Sequence, residues 1–283
     1  MILVTDPREM QRLSDDARRE GREVSFVPTM GALHAGHCTL IRRAIEYGDV
    51  VVTSVFVNPT QFGQGEDFTR YPRDLDRDAL LAADAGTDIL FAPSAEAMYP
   101  PGYATSVDVD RVTAVLEGKA RPGHFRGVAT VVAKLVTIVR PHVMLLGQKD
   151  AQQVVVIRRM LEDLNTGVKT VIVPTVREAD GLALSSRNAY LSGEERAQAP
   201  VLARSLRAVE GALRAGERNG DALRTLMRST IASAPLAVID YVSVADAGTL
   251  EELQHMPAGQ QVLVSLAVRF GITRLIDNTS LTV

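Results

Sequence analysis

A single cysteine, Cys38, stands in 283 residues, which excludes an intrachain disulfide framework. Placed on a helical segment just after His37, it reads as a packing residue rather than a redox centre. Five histidines and one thiol also leave little from which to build a zinc site, and no further ligands follow the histidines at the usual spacing. Nowhere do about 18 uncharged apolar residues run together, as a membrane span requires. The start, Met1 to Asp6, lacks the basic opening and long apolar stretch of a secretory signal, so a cytoplasmic protein without a membrane partner is expected. The net charge of −3 gives no general attraction to nucleic acid or to a membrane surface, so any anion site must be local. No internal repeat or low-complexity tract is present.

What is present is apolar material in an ordered pattern. With 46% hydrophobic residues the chain can bury one large core and a smaller one. β-Branched runs at Val24 to Val27, Val50 to Val57, Ile89 to Ala92, Val143 to Leu146 and Val168 to Val173 alternate with charged segments of helical spacing. That alternation predicts an α/β fold with a mostly parallel, Rossmann-like sheet. Leu40 to Tyr47 and Asp74 to Asp84 read as amphipathic helices, the second with Leu75, Ala79 and Ala82 or Ala83 turned inward. Past Pro174 the texture changes. Helices are predicted at Ser192 to Arg214 and Asp221 to Ala232, and strands at 238–244, 261–268 and 272–276, which places a boundary near 175. A Rossmann-like domain over 1–175 is therefore expected to precede a smaller α+β domain over 176–283.

The most informative segment is Pro28-Thr29-Met30-Gly31-Ala32-Leu33-His34-Ala35-Gly36-His37, which joins the first strong strand to a helix. A strand that turns there would present backbone N–H groups and the positive end of a helix dipole to a polyanion. His34 and His37, three residues apart at the helix start, share one face, and Gly36 leaves room for a nucleotide to lie close. The competing reading is a plain helix start with two surface histidines.

In an open parallel sheet, ligands meet the residues that follow the strands, and two more strand ends carry polar chemistry. They are Asn58-Pro59-Thr60-Gln61-Phe62 and Gly147-Gln148-Lys149-Asp150-Ala151-Gln152-Gln153, expected to share a crevice with the histidines. Lys149 suits a phosphate moving through a transition state, and Asp150 suits a ribose. Asn58, Gln61 and Gln153 suit a small hydroxylated carboxylate. Alternatively, Asn58-Pro59 is a turn and Lys149-Asp150 a solvated helix start. Ser185-Ser186-Arg187-Asn188 after Gly181 offers hydroxyls and a guanidinium to a triphosphate, or else Ser185 or Ser186 caps a helix. Arg121-Pro122-Gly123-His124-Phe125-Arg126-Gly127 reads as a basic loop before a helix over Val128 to Val139.

These five ordered motifs, between about residues 24 and 190, resemble those of the pantoate–β-alanine ligases of the nucleotidyltransferase superfamily. Asp67-Phe68 and Tyr71-Pro72-Arg73 resemble that family's wall over the active site, here 63–73. The tail after 190 is similar mainly in texture. The resemblance implies ATP-dependent condensation of pantoate with β-alanine through a pantoyl adenylate, with ATP as its magnesium complex and with AMP and pyrophosphate released.

By position, His34, His37, Lys149 and Arg187 are then the catalytic residues. With Ser185 and Ser186 they neutralise the phosphates. Met30, Gly147, Asp150, Val176 and Leu184 complete the ATP site, and Met30, Asn58, Gln61, Phe62 and Gln153 hold pantoate. The resemblance further implies a homodimer. Asp76 and Asp78, near the wall, are candidate magnesium ligands, against the simpler reading of a solvated helix face. Three departures stand out: Ala35 where the family often has Glu, Cys38-Thr39 for Leu-Ser, and Leu184 for a Met near adenine. A cytidylyl or nicotinate-mononucleotide adenylyltransferase would share the histidine turn and a serine/arginine clamp but not the Asn58 and Gly147 motifs. A nucleotide-sensing module would leave Gln61 and Gln153 without a purpose.

Overall fold

The computed structural model describes residues 1–63 and 67–283. Its chain divides into two compact units, Met1–Gly147 with Val156–Pro174, and Gln148–Val155 with Thr175–Val283. The segment carrying Lys149 thus groups with the second unit.

The first unit holds strands β1 (Ile2–Val4), β2 (Val24–Thr29), β3 (Val50–Val55), β4 (Ile89–Phe91), β5 (Val143–Gly147) and β6 (Lys169–Val173). They form one sheet in the order β1-β4-β3-β2-β5-β6, and every neighbouring pair is parallel. Val24, Phe26, Val27 and Val52 are fully buried, which explains why these strands read as unbroken apolar runs. Strand β3 ends at Val55, two residues short of the predicted Val57, before the Asn58 turn. From β2 the chain moves outward through β3 to β4, then returns to the other side of β2 to lay down β5. The direction of winding therefore reverses between β2 and β5, and a doubly wound sheet opens a crevice at the carboxyl ends of such strands.

Helices α1 (Pro7–Arg19), α2 (Ala35–Ala44), α3 (Leu75–Ala85), α4 (Ala95–Met98), α5 (Leu116–Ala120), α6 (His124–Val139) and α7 (Ala151–Asp163) complete the series up to β6. Helix α2 begins at Ala35 rather than Leu40, and α6 at His124 rather than Val128. Both motif histidine segments are thus drawn into helix starts. Cys38 lies 6% exposed in the core with Val27, Leu33 and Ile41, and burial pushes its thiol pKa up, as suits a packing residue.

The inner stripe of α3 differs from the predicted one. Asp78, Ala82 and Ala85 are buried at i, i+4 and i+7, while Leu75 is 38% exposed. A carboxylate occupies the place where an apolar side chain was expected, because backbone donors of another segment meet it there.

In the second unit, α8 (Gly193–Gln198), α9 (Val201–Arg214) and α10 (Gly220–Ile231) precede an antiparallel sheet of β7 (Ala237–Asp246), β8 (Gln261–Phe270) and β9 (Thr273–Thr282). The helix predicted over 192–214 is broken at Pro200, which has no N–H to continue the ladder. Ser192 and Glu195 form a capping box at the start of α8. Leu206, Val209, Leu223 and Met227 of α9 and α10 pack with Val264, Leu266 and Val268 of β8 in one core. Among the described residues no helix is long and apolar enough to cross a membrane.

Candidate active site

The Pro28–His37 turn is held by its own side chains and by one carboxylate. His34 is the N-cap of α2, and its Nδ1 accepts from the Gly36 N–H at 3.1 Å, while His37 Nδ1 accepts from the His34 N–H at 3.3 Å. A neutral imidazole that accepts at Nδ1 carries its proton on Nε2. Capping therefore fixes both rings as Nε2–H donors. Their centroids lie 4.1 Å apart, so two such donors stand together at a helix N-terminus.

Gly36 answers to the protein first. A Cβ there would lie 2.9 Å from His34 Cε1, so its missing side chain makes room for the capping ring.

The backbone N–H groups of the turn are not open to a ligand as the sequence suggested. Gly31 N donates to Thr29 Oγ1 at 3.1 Å. Ala32 N and Leu33 N donate to Asp78 Oδ2 and Oδ1 at 2.9 and 2.7 Å. Ala32 sits in the left-handed region at φ 50°, a conformation costing about 1–2 kcal/mol for a residue with a Cβ. The flanking bonds to Asp78, itself 1% exposed, hold it there. The reading of Asp78 as part of a solvated face does not fit a buried carboxylate engaged on both oxygens by backbone. Asp76 is on the exposed side of the same helix. In Asp78→Asn one amide atom still accepts, while the other turns N–H against N–H. The loss of a charge-assisted bond and the orphaned donor should cost about 1–3 kcal/mol, read from the urea midpoint at unchanged slope; an unmoved midpoint would refute this role.

The second strand end is a short 3-10 turn, Pro59–Gln61, capped by Asn58. Asn58 is 1% exposed. Its Nδ2 donates to Gln61 Oε1 and to Gly127 O, both at 3.1 Å. Its Oδ1 accepts from Thr60 Oγ1 at 2.9 Å and Tyr99 OH at 2.8 Å, with the Thr60 N–H at 3.3 Å. An amide has two donor hydrogens and two lone pairs, and all are engaged. This network orients Gln61, whose Nε2 lies 3.0 Å from Met30 Sδ.

Tyr99, which belongs to none of the sequence motifs, is half-buried, and burial pushes its phenol pKa up. Lys134, whose ammonium pKa is lowered by burial, lies 4.4 Å from the Tyr103 ring centroid and 5.5 Å from that of Tyr99.

The Arg121–Gly127 segment is a brace for this turn rather than an exposed loop. His124 Nδ1 is 2.9 Å from the Gln61 carbonyl, and Arg121 Nη1 is 3.0 Å from His124 Nε2. A carbonyl only accepts and a guanidinium only donates, so His124 is the neutral Nδ1–H tautomer. At Gly127 a Cβ would stand 2.4 Å from Thr60 O, so only glycine lets α6 approach the turn this closely.

Phe62 leaves the turn into an aromatic group with Phe68 and Tyr71, at 5.3 and 6.1 Å between centroids. Arg73 lies over Phe68 and donates to the Phe68 and Tyr71 carbonyls. Residues 64–66 of the 63–73 wall lie outside the described residues. Gly147 closes β5 in register with Val173.

In the second unit Lys149 lies in a single 3-10 turn, Gln148–Asp150. Its Nζ is 3.5 Å from Asp150 Oδ1 and its side chain is 21% exposed. Gln153 follows, half-buried, on α7. Val176 and Leu184 are joined by a backbone bond, Leu184 N to Val176 O at 2.9 Å, and Glu178 N donates to Leu182 O at 2.8 Å. This makes 176–184 a narrow loop that delivers the clamp.

Ser185 caps the turn Ser186–Tyr190 by accepting from the Arg187 N–H at 3.3 Å, and a hydroxyl that accepts still has its proton to give. Asn188 Nδ2 donates to Glu178 Oε1 and Ala183 O. Arg196 bonds Glu178 and Asp180, both at 2.6 Å, and its bond is the main cause of the lowered Asp180 pKa. Among the described residues no three His, Cys, Asp or Glu side chains gather to hold a metal ion.

The chain matches the model of the pantoate–β-alanine ligase family over residues 2–280. It is 58% identical over 278 residues to the pantothenate synthetase of Heliobacterium modesticaldum, covering 98% of both chains. To the Roseiflexus sp. enzyme of the same name it is 60% identical over 253 residues, 89% of this chain and 90% of that one. The crystal structure of pantothenate synthetase from Thermus thermophilus superposes with a TM-score of 0.91 at 47% identity, covering 99% of each chain. That of pantoate–β-alanine ligase from Francisella tularensis, complexed with β,γ-ATP and β-alanine, gives 0.79 at 34% identity, covering 99% of this chain and 97% of that one. A full-length match of this kind, with the paired histidine cap and the doubly wound sheet, makes the chain a member of the pantoate–β-alanine ligase family.

Proposed function

We propose that the chain joins pantoate to β-alanine in two steps driven by ATP. A pantoate carboxylate oxygen attacks the α-phosphorus, pyrophosphate leaves, and pantoyl adenylate forms. The β-alanine amine then attacks the acyl carbon, an amine proton is released, and AMP leaves with that carboxylate oxygen. Adenylation is needed because a carboxylate is a poor acyl donor, whereas the mixed anhydride has a good leaving group. No base is required for the first step, since the carboxylate is already ionised at neutral pH.

The observation that carries this reading is the pair of histidines fixed as Nε2–H donors at the carboxyl end of β2. Their task is to donate to phosphate oxygens. Lys149, Ser185, Ser186 and Arg187 supply further donors and charge, Gly147 and Asp150 take the ribose, and Val176 and Leu184 take the base. Gln61 and Gln153 hold the hydroxyls and carboxylate of pantoate, with Met30 and Phe62 against its methyl groups. Asn58 acts one step back, by fixing Gln61. Magnesium carried by the nucleotide would neutralise phosphate charge and would need few protein ligands, in keeping with an Asp78 that faces backbone. Catalysis is then positioning and charge stabilisation without a covalent enzyme intermediate. The family reading also has a cytoplasmic protein that pairs as a homodimer, and sedimentation would test the pairing.

AMP release measured with each substrate omitted in turn tests the function. Release that needs both pantoate and ATP is expected; AMP formed equally without pantoate would overturn it.

A further inference from the structure

The last strand carries two buried polar residues that no sequence motif singles out. Asp277 and Asn278 are 2% and 4% exposed. They are consecutive on β9, so their side chains leave opposite faces of the sheet. Asp277 shares the face of Leu275, which belongs to the helix-covered core. There it takes a two-pronged bond from Arg177, Nη1 to Oδ2 at 2.6 Å and Nη2 to Oδ1 at 3.0 Å. Arg177 also donates to Gly181 O at 3.0 Å, closing the loop that carries Val176 and Leu184.

Asn278 turns to the other face and meets the lysine turn. Its Nδ2 donates to Gln148 O at 3.0 Å and Lys149 O at 2.8 Å, and its Oδ1 accepts from Gln148 Nε2 at 2.9 Å. Three bonds from one amide therefore fix a turn too short to fix itself: a single 3-10 turn has few bonds of its own. The carbonyl of Lys149 is one of those held.

We propose that Asn278 is a positioning residue for Lys149, and that Asp277 and Asn278 together make β9 the common support of the lysine turn and the 176–184 loop. The proposal rests on the reading of Lys149 as a phosphate-binding residue in adenylation. Strand β9 would then contribute to catalysis without touching a substrate.

The test compares wild type, Asn278→Ala, Lys149→Ala and the double variant in pantoate-dependent exchange of labelled pyrophosphate into ATP. Misplacing a catalytic group by an ångström can cost about 100-fold in rate. The expected result for Asn278→Ala is a fall in kcat of about 10- to 100-fold, with the KM for pantoate within about twofold. The double variant should lose no more than Lys149→Ala alone, because Asn278 acts through that lysine. Multiplying losses, or an unchanged kcat, would overturn the proposal.

Amide hydrogen exchange over residues 147–153 gives a readout independent of turnover. It should quicken in Asn278→Ala; an unchanged rate there overturns the proposal, whereas absence of pyrophosphate exchange in wild type overturns only the adenylation reading. Asn278→Asp keeps the shape and one acceptor but sets a carboxylate oxygen against two carbonyls, and should reproduce the kcat loss. If neither variant folds, Gln148→Ala, on the half-buried turn itself, should show the same pattern to a smaller degree, and its failure to do so would count against the proposal.

Discussion

Lys149→Ala is expected to lower kcat for pantoate-dependent pyrophosphate exchange by about 100- to 1,000-fold, equivalent to ~2.7–4 kcal/mol of transition-state stabilisation, the usual cost of removing one charge-stabilising donor. The side chain is mostly buried and pairs with the exposed carboxylate of Asp150 at 3.5 Å, so truncation removes charge without opening the core. The fold should survive, and the loss should fall on kcat more than on KM. Near-normal exchange in a folded variant would remove Lys149 from the mechanism. His37→Ala should lose a similar factor, but it is the less clean experiment. His37 Nδ1 also caps the His34 N–H, so alanine removes a structural bond together with the donor. Asparagine, which can still accept near that position, separates the two contributions.

Arg177→Ala is expected to destabilise the second unit by about 3–5 kcal/mol, the range found when one partner of a buried ion pair is removed. The Asp277 side chain is 1% exposed and that of Arg177 29%. Without the guanidinium, Asp277 keeps the Asn278 N–H at 2.8 Å, which is too little for a buried charge. The Gly181 carbonyl loses its donor as well, so the 176–184 loop should loosen and the KM for ATP should rise. Replacing both partners, Arg177→Met with Asp277→Leu, removes the stranded charge and should recover much of the stability. Urea unfolding decides: a double variant no more stable than Arg177→Ala would show that the pair itself contributes the stability, contrary to the argument from an orphaned charge.

The parts legible in the sequence were those with local causes. Strands β2, β3 and β5 are buried on both faces and so wrote themselves as apolar runs. Strand β1 leaves no such run because it is three residues long and its Ile2 and Leu3 are about half exposed. Helix α1 buries only Met10, Ser14 and Ala17, a weak apolar stripe, although Asp6 before Pro7 was an available start signal.

The motif residues stand in local runs that resemble those of the family, but what holds them is not local. Asp78 lies 45 and 46 residues from the amides it binds, and Asn278 lies 129 from the carbonyl of Lys149. No pattern within one segment encodes such a pairing. The bonds of Asn58 are hidden from the sequence for the same reason, since they depend on Tyr99 and Gly127, each brought to it by the fold.

The proposed chemistry activates pantoate by transfer of an adenylyl group to its own carboxylate. Turnover of pantoate labelled with ¹⁸O in the carboxylate tests it most directly, with AMP and pantothenate weighed by mass spectrometry. The adenylate path leaves one labelled oxygen in AMP and one in the amide carbonyl of pantothenate. Unlabelled AMP, with the label in pyrophosphate or inorganic phosphate instead, would contradict it.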